Sequence, residues 1–228
     1  LVPASKIHLV QKYVGSGGKA PLDKLGGKGF QKRKEQVQDS LFDLAAELLE
    51  VQSKRALVTR EPYKNDDLER DFLDSFPFRD TVDQAKAWTE VQSDLLKPSP
   101  MDRLLCGDVG FGKTEIALRT GFRVAITGRQ VALLCPTTVL AEQHSLTFKA
   151  RCEPFGLKVE LLSRYRTAKE RRQVQEELSK GTVDIVIGTH QLLGKNVVFK
   201  DLGLCIIDEE QRFGVRQKDR LKHLRTAA

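Results

Sequence analysis

The sequence has 228 residues, enough for one domain with a substantial hydrophobic core and an extension to it. Hydrophobic residues make up 40% and charged residues 30%, a balance that excludes a disordered chain, and no apolar run approaches the ~18 residues of a membrane span. Lysine and arginine outnumber the acids by 38 to 31, so the net charge of +7 permits a polyanionic partner without requiring one.

Cysteine usage and the chain ends indicate the cellular setting. The chain contains four cysteines, Cys106, Cys135, Cys152 and Cys205. They form no CxxC pair and three of them lie in apolar runs, so we expect core thiols in a protein of the reducing cytoplasm. The chain starts at Leu1, carries no signal segment and stops at Ala228 without a terminating signal, so we expect a piece of a longer protein.

The first 65 residues are predicted to form a short strand, an irregular connector and a long helix. The alternating segment KIHLVQKYV favours a strand, and the run GSGGKAPLDKLGGKG favours a connector. From Phe30 to about Arg60, apolar residues recur at steps of four and three, and these residues are Val37, Leu41, Leu44, Leu48 and Val51. This spacing predicts a helix roughly 45 Å long. We favour a stripe that packs on the protein's own core; a lever or partner-binding helix is the alternative.

Beyond a boundary near residue 65, strand and helix patterns alternate. Five apolar runs predict buried parallel strands: RLLCGD, QVALLCPT, KVELLS, DIVIGTH and LGLCIIDEE. The stretches between them predict helices over Lys113 to Thr127, Val139 to Arg151 and Thr167 to Lys180. Repeated strand, helix and strand predict an α/β fold with a parallel sheet and right-handed crossovers.

The segment GDVGFGKT matches the phosphate-binding pattern G-x-x-x-x-G-K-[ST] in full, where a predicted strand meets a predicted helix. Glycines at 107, 110 and 112 permit backbone angles closed to other residues, so successive N–H groups can surround a phosphate. Lys113 would reach the β- and γ-phosphates, and Thr114 would hold Mg²⁺. The predicted ATP-binding residues of this loop are Gly107, Asp108, Val109, Gly110, Phe111, Gly112, Lys113 and Thr114. An ordinary glycine turn is the alternative.

A second acidic element, LCIIDEEQ, follows about 95 residues later at the end of an apolar strand. Asp208 would hold Mg²⁺ through water, and Glu209 would polarise the attacking water. With Lys113, these two are the predicted catalytic residues. The alternative of ordinary surface acids is weaker, because carboxylates at the end of a buried strand are costly without a cation.

The segment DEEQ at residues 208–211 resembles the DExx box of superfamily-2 helicases and translocases. FPFRDTVDQ resembles that family's Q motif, PTTVLAEQH its motif Ia, LSRYRTAKE its motif Ib and IGTHQLL its next DNA-contacting motif. The resemblance implies a three-layer RecA-like P-loop domain in which Phe78 packs on adenine and Gln84 reads its edge. The DNA-backbone contacts that it implies are Pro136, Thr137, Thr138, Gln143, Arg164, Gly188, Thr189 and His190.

Several of these residues have simpler interpretations. Pro-Thr-Thr can cap a helix, and Arg164 and Arg166 can be solvated loop charges. His144 and His190 also fall within the motifs, but nothing in the sequence pairs either histidine with other metal ligands, so we expect no zinc site.

Longer stretches closely resemble the family of bacterial transcription-repair coupling factors (Mfd). They are MDRLLCGDVGFGKTEIALR, TTVLAEQH, LLSRYRTAKE and FKDLGLCIIDEEQRFGVRQKDRLK. LVPASKIHLVQKYVG and APLDKLGG resemble the end of that family's RNA polymerase-interacting domain, and DLAAELLEVQSKRA resembles the long helix that joins it to the motor. The resemblance implies the end of that domain at residues 1–29 with a short β segment, a connecting helix at 30–65, and the first RecA-like, ATP-binding lobe at 66–228.

This resemblance implies an ATP-dependent translocase on double-stranded DNA in the bacterial cytoplasm and nucleoid, with ATP and Mg²⁺ as cofactors. The whole protein would displace stalled RNA polymerase, which it would contact through the domain ending at residues 1–29, and would recruit nucleotide-excision repair proteins. We expect these 228 residues alone to bind ATP–Mg²⁺ and DNA weakly with little turnover. The alternatives are a motor lobe of a RecG-type fork-remodelling helicase and a non-catalytic polymerase adaptor.

The sequence departs from the family pattern in two places. Gln211 stands where many relatives carry the histidine that couples the γ-phosphate site to the DNA-contacting motifs. The chain also ends at LKHLRTAA, before the family's motif III and the second RecA-like lobe, whose arginine fingers complete the ATP site.

Overall fold

The structure is a computed structural model that describes residues 4–10, 28–64 and 66–213. The chain divides into two compact units, residues 1–50 and 51–228, which are described separately. The segment APLDKLGG, most of the predicted connector and the end of the chain with LKHLRTAA lie outside the described residues. Among the residues that the structure describes, each helix is either too short or too polar to span a membrane.

The described beginning of the chain is helical and not extended. Ala4–Leu9 form a 3-10 helix, so the prediction of a strand in KIHLVQKYV is wrong over this part. Ile7 and Val10 are 70% and 58% exposed. Alternation favours a strand only where a neighbouring strand and a core cover one face, and neither covers these side chains.

The predicted long helix, α1, spans Lys28–Leu57. Val37 and Leu41 are 60% and 59% exposed, so the prediction that this stripe packs on the protein's own core is wrong at these positions. The spacing of apolar residues reports which side chains share a helix face, but it does not report which surface covers that face.

Two helices lie between α1 and the glycine-rich loop. They are α2 (Asp67–Asp74) and α3 (Val82–Leu95). Asp66 accepts a hydrogen bond from the Leu68 amide and begins α2, while Thr81 begins α3 through a reciprocal capping box with Gln84.

The remaining elements form an α/β layer structure around a parallel sheet. In chain order they are α4 (Lys113–Ala125), β1 (Gln130–Leu134), α5 (Thr138–Cys152), β2 (Val159–Leu162), α6 (Ala168–Lys180), β3 (Ile185–Gly188) and β4 (Leu202–Ile207). The strand order is β2-β3-β1-β4 and every pairing is parallel, with Leu134 of β1 opposite Gly188 of β3 and Ile207 of β4. Four of the five predicted strands and all three predicted helices of this region are confirmed.

Helices cover both faces of the sheet, which confirms the three-layer prediction. Val131 and Leu133 of β1 face a core shared with α3, α4 and α5. Ala132 and Leu134, the alternate residues, face a second core shared with α6. Burial on both faces explains why these strands are continuous apolar runs without alternation.

The predicted strand RLLCGD is not a strand. Residues 101–108 are irregular, Leu104 is 83% exposed, and β4 is half-buried beyond Leu202. Among the described residues, the backbone of this segment makes no ladder with β4. An apolar run marks a segment that can be buried, whereas a strand also requires a hydrogen-bonding neighbour.

The cysteines divide by position. Cys135 and Cys152 are buried, as predicted, whereas Cys205 is half-buried. Cys106 is exposed, so its prediction as a core thiol is wrong. The error has the same origin as the missing strand, because Cys106 lies in RLLCGD.

A buried ion pair joins α2 to α4 and helps to position the helix that follows the P-loop. The fully buried Arg123 donates from Nε and Nη2 to the carboxylate of Glu69 at 2.6 and 2.8 Å. The Trp88 ring lies 5.1 Å from the Arg123 guanidinium carbon. In the amide orientation that satisfies its neighbours, the Gln92 oxygen accepts from both Trp88 and Arg123.

Candidate functional site

The loop before α4 has the backbone that the glycine pattern predicts at two of its three glycines. Gly110 and Gly112 have φ angles of 86° and 75°, in the left-handed region. Gly112 directly precedes α4, and a Cβ there would lie 2.0 Å from Gln84 Nε2. Gly107 has no such φ and a Cβ there would make only ordinary contacts, so the prediction of a special backbone is wrong at this glycine.

The side chain of Lys113 is hydrogen-bonded to the backbone of the glycine-rich loop. Its ammonium donates to the carbonyl oxygens of Gly107 and Asp108 at 2.6 and 2.7 Å. Phosphate oxygens are acceptors for the same donors, and the N-terminus of α4 also favours an anion. Lys113 and the half-buried Thr114 therefore lie at the N-terminus of a helix, where a phosphate is stabilised.

A cavity of about 620 Å³ extends along β4 from Gly203 to the acids that follow the strand, and this loop also lines it. That volume is within the usual range for sites that bind small molecules. The predicted site residues that line it are Gly107, Val109, Lys113, Thr114, Asp208, Glu209 and Gln211. The structure thus brings together the two motifs that the sequence separates by about 95 residues.

Asp208 is fixed by its backbone and by its side chain. Its amide donates to Leu134 O at 2.9 Å, and its Oδ2 lies 2.9 Å from Nε2 of His144 on α5. The hydrogen bond from His144 holds the pKa of Asp208 below its ordinary value, against partial burial, and the charge of Lys113 acts in the same direction. An ionised carboxylate can only accept, so Nε2–H of His144 is the donor.

The sequence paired His144 with no other possible metal ligand, whereas the structure brings two such side chains close to it. The ligand atoms of Cys135, His144 and Asp208 all lie within 4.8 Å of one another. Burial, and secondarily the charge of Asp208, raises the pKa of Cys135 to about 12, which keeps its sulfur a protonated thiol at neutral pH. Sequence reasoning missed the cluster because Cys135 follows β1, His144 lies on α5 and Asp208 follows β4.

Glu209 has an unusual backbone. It is the one non-glycine residue with a positive φ in the described part of the chain, at φ 48° and ψ 51°. For an L-residue this conformation costs about 1–2 kcal/mol. Its Oε2 lies 2.6 Å from Arg212 Nε but accepts no hydrogen bond. A carboxylate on a strained backbone in the cavity is typical of a functional position.

The two predicted adenine contacts differ in their environment: Phe78 is largely exposed, whereas the side chain of Gln84 is already hydrogen-bonded within the protein. Phe78 is 73% exposed and its ring meets that of Phe76 edge to face, with centroids 5.6 Å apart. The amide of Gln84 accepts from Thr81 N at 2.8 Å and donates to Phe111 O at 3.1 Å. Gln84 therefore ties the start of α3 to the P-loop, and its contact with adenine stays a prediction.

A cluster of ion pairs, the clamp of Asp80, Arg119 and Glu115, holds the loop of residues 76–80 against α4. Arg119, which is 4% exposed, donates from both Nη atoms to the Asp80 carboxylate at 2.6 and 2.8 Å, and from Nε to Glu115 at 2.8 Å. Its guanidinium carbon lies 5.1 Å from the Phe76 ring. Sequence reasoning missed this clamp, although the charged residues at 115, 119 and 123, spaced four apart on a buried helix, were its signal.

The predicted DNA-contacting residues follow the carboxyl ends of β1, β2 and β3. Because these strands are parallel, their ends lie on one edge of the sheet, the edge where Asp208 follows β4. Crevices at this edge are where open α/β sheets bind ligands. The members with exposed side chains are Thr137, Gln143, Arg164 and His190.

Three members of the set are buried: Thr138, Gly188 and Thr189. A Cβ at Gly188 would lie 2.5 Å from the Leu162 carbonyl oxygen, so this glycine has a packing role. Pro136 is half-buried, and the Thr137 hydroxyl accepts from Leu140 N at 3.3 Å, so Thr137 caps α5. DNA contacts by the buried residues would have to use their backbone groups, and they stay predictions.

Comparison with known proteins identifies similar chains. The transcription-repair-coupling factor of Staphylococcus epidermidis is 50% identical over 226 residues, which is 98% of this chain and 19% of the relative. The factor of Staphylococcus aureus is 49% identical over the same shares. The chain thus spans about a fifth of the length of these curated relatives. The predicted resemblance to this family is confirmed.

Two solved structures share the fold. RecG bound to a three-way DNA junction has a TM-score of 0.67 and 36% identity, over 81% of this chain and 26% of that one. A hypothetical ATP-dependent RNA helicase from Sulfolobus tokodaii has a TM-score of 0.52 and 19% identity, over 70% of this chain and 46% of that one, and shows the fold alone. The RecA-like prediction is confirmed.

The DEAD/DEAH box helicase model matches residues 81–228, a range that contains the P-loop and the acidic segment at β4. The match covers well over half of the chain and confirms a nucleotide-binding domain of helicase type. We conclude that the chain belongs to the DEAD/DEAH box helicase family.

Proposed function

We propose that the chain is the ATP-binding lobe of a double-stranded DNA translocase that displaces stalled RNA polymerase and couples transcription to nucleotide-excision repair. The observation that carries the motor assignment is the convergence of Lys113, Thr114, Asp208 and Glu209 on one cavity that reaches the carboxyl edge of the sheet. The similarity to transcription-repair-coupling factors supports the finer assignment, because it extends over 98% of the chain, including residues before the helicase match.

The residues present fit an ATP–Mg²⁺ ligand. Lys113 would exchange its two carbonyl contacts for oxygens of the β- and γ-phosphates. The Thr114 hydroxyl and the ionised Asp208 carboxylate, the latter through water, are the hard oxygen ligands that Mg²⁺ prefers. Bound Mg²⁺ neutralises charge on the phosphates that are cleaved.

Glu209 would act as the base that orients and deprotonates the attacking water. For this role its carboxylate would leave Arg212, which lies 2.6 Å away. Phe78 would stack on adenine and Gln84 would read its edge. Gln211, which lines the same cavity, would couple the γ-phosphate to the DNA contacts.

Double-stranded DNA would lie along the ends of β1, β2 and β3, close to the exposed Gln143, Arg164 and His190. Residues 1–29 would end an RNA polymerase-interacting domain, 30–65 would be the connecting helix and 66–228 the motor lobe. The whole protein would work in the bacterial cytoplasm and nucleoid with RNA polymerase and nucleotide-excision repair proteins.

Binding of a fluorescent ATP analogue tests the nucleotide site. Lys113→Ala should abolish binding by the 228-residue chain, whereas Lys86→Ala, at an exposed site on α3, should not change it. Equal binding by Lys113→Ala and the wild type would refute the proposed site.

Hydrolysis and DNA binding test the motor assignment. We expect slow hydrolysis by this chain alone, because the arginine finger of such motors contributes about 10³–10⁵ in rate and comes from a second lobe. Rapid, DNA-stimulated turnover would contradict this expectation. Duplex binding should be weak and should fall steeply with salt, since it depends on phosphate contacts.

The second candidate is a lobe of a RecG-type fork-remodelling helicase, which the 36% identity to RecG favours. Binding to a three-way junction and to linear duplex discriminates between the two, since a fork enzyme should prefer the junction. A third candidate is a non-catalytic polymerase adaptor. An adaptor should be indifferent to Glu209→Gln in the whole protein, whereas a translocase should lose polymerase displacement.

A further inference from the structure

Helix α5 connects the DNA edge to the candidate metal-binding carboxylate. It starts at Thr138, directly after the predicted DNA contacts Pro136 and Thr137, and its second turn carries His144. His144 follows the capping residue Thr137 by seven positions, which is two helical turns. One rigid element thus bears the candidate DNA contacts at its end and a hydrogen-bond donor to Asp208 along its length.

The hydrogen bond between His144 and Asp208 is held from both sides. Asp208 is fixed to β1 by its amide hydrogen bond to Leu134 O at 2.9 Å. α5 packs on the sheet through the fully buried Ala141 and Phe148, and its hydrogen bond to Asp208 comes from His144. Because the two groups stand on different elements, any displacement of α5 along the sheet would move the imidazole relative to the carboxylate.

The hydrogen bond is largely shielded from water and leaves Asp208 able to act. The side chain of His144 is 13% exposed and that of Asp208 is 30% exposed. A carboxylate has about four lone-pair positions, so the donor on His144 orients it and still leaves acceptor sites for a metal-bound water.

We propose that His144 is a positioning residue whose N–H orients the Asp208 carboxylate for the magnesium-bound nucleotide. Because His144 lies on α5, this orientation would also depend on DNA contact at the start of that helix. The inference rests on the proposed nucleotide site. Donors that hydrogen-bond to the ligands of a metal fix their orientation and typically change metal affinity 10–100-fold when they are removed; because Asp208 would act through a metal-bound water, we expect an effect at the lower end of that range. His144 differs from the usual outer-shell donor because it stands on the helix that would touch DNA.

Two substitutions separate the donor from the bulk of the side chain. His144→Leu keeps an apolar side chain of moderate size and removes the N–H, whereas His144→Gln places an amide N–H at the same bond distance from Cβ as imidazole Nε2. Thr147→Ala, at an exposed position of the same helix, is the matched control. Thermal unfolding of all four chains verifies that each one folds.

The measurement is the affinity for a fluorescent ATP analogue with Mg²⁺ and with EDTA, each with and without a 30-base-pair duplex. Affinity in EDTA should be equal in all four chains. The gain in affinity on adding Mg²⁺ should fall roughly tenfold in His144→Leu and should remain in His144→Gln and Thr147→Ala. Duplex should change the magnesium-dependent affinity of the wild type and of His144→Gln, but not of His144→Leu.

An unchanged magnesium gain in His144→Leu would overturn the inference, and so would a loss in His144→Gln as large as that in His144→Leu. A duplex effect equal in the wild type and His144→Leu would overturn the link to DNA. Failure of the proposed nucleotide site gives a different result, in which Lys113→Ala binds the analogue as tightly as the wild type.

Discussion

Arg123→Met should destabilise the second unit by about 3–5 kcal/mol, because it leaves a buried carboxylate without its cation. Arg123 is fully buried, and the Glu69 side chain that it pairs with is only 4% exposed. Methionine replaces most of the aliphatic stem of Arg123, so the predicted loss comes mainly from the uncompensated charge of Glu69 and from the two hydrogen bonds at 2.6 and 2.8 Å.

Thermal unfolding followed by circular dichroism measures this loss. A domain of this size loses roughly 2–4 °C of Tm for each kcal/mol, so the midpoint should fall by about 6–20 °C. Arg70→Met is the matched control on α2, since Arg70 pairs with Asp67 at 3.6 Å and the two side chains are 75% and 96% exposed. The control should cost less than about 1 kcal/mol.

The double variant Glu69→Leu with Arg123→Met separates charge from packing. Replacing both partners by apolar residues removes the uncompensated charge, so the double variant should regain most of the lost stability. The reasoning would be refuted if Arg123→Met cost no more than Arg70→Met. It would also be refuted if the double variant were no more stable than Arg123→Met alone.

Three further outcomes are expected. Gly188→Ala should lower stability by about 1–3 kcal/mol in denaturant titration, because its Cβ would lie 2.5 Å from a carbonyl oxygen of β2. Iodoacetamide at pH 8 should modify the exposed Cys106 and spare Cys152 in mass spectra of the folded chain, since burial raises the pKa of Cys152 to about 12; equal labelling would contradict the structure. Asp80→Asn should weaken binding of ATP but not of inorganic triphosphate, because loss of the bidentate pair with Arg119 frees the adenine-side loop and leaves the P-loop intact.

Much of the sheet could be predicted from the sequence because its signal is local. Burial on both faces makes each strand a short apolar run, and β1 to β4 were found on that basis. RLLCGD carries the same signal but is not a strand, because strand formation also depends on a ladder partner elsewhere in the chain. The wrong prediction for the exposed apolar residues of α1 has a similar cause, since periodicity does not identify the surface that covers a helix face.

In the candidate site, too, the contiguous motifs could be predicted from the sequence, whereas the contacts between distant residues could not. The P-loop and the acids after β4 were predicted because each motif is contiguous and the ends of parallel strands meet at one edge. The link between His144 and Asp208 and the clamp between Asp80 and Arg119 were not predicted. These pairs are 64 and 39 residues apart, and their contact depends on strand order and on the rotation of α4 and α5, neither of which a local pattern reports.

The two missed contacts lie on different helices. Under the proposed function, each end of the nucleotide would therefore be positioned by its own helix. Arg119 ties the adenine-side loop to α4, whereas His144 ties the metal-side carboxylate to α5. Glu115 joins the two helices, since it accepts from Arg119 at 2.8 Å and from Arg151 of α5 at 3.1 Å. If DNA binding displaced α5, the displacement would therefore change the hydrogen bond to Asp208 directly. It would affect the adenine-side loop only through these ion pairs. For this reason, DNA should affect the magnesium dependence of nucleotide binding more than the preference for adenine.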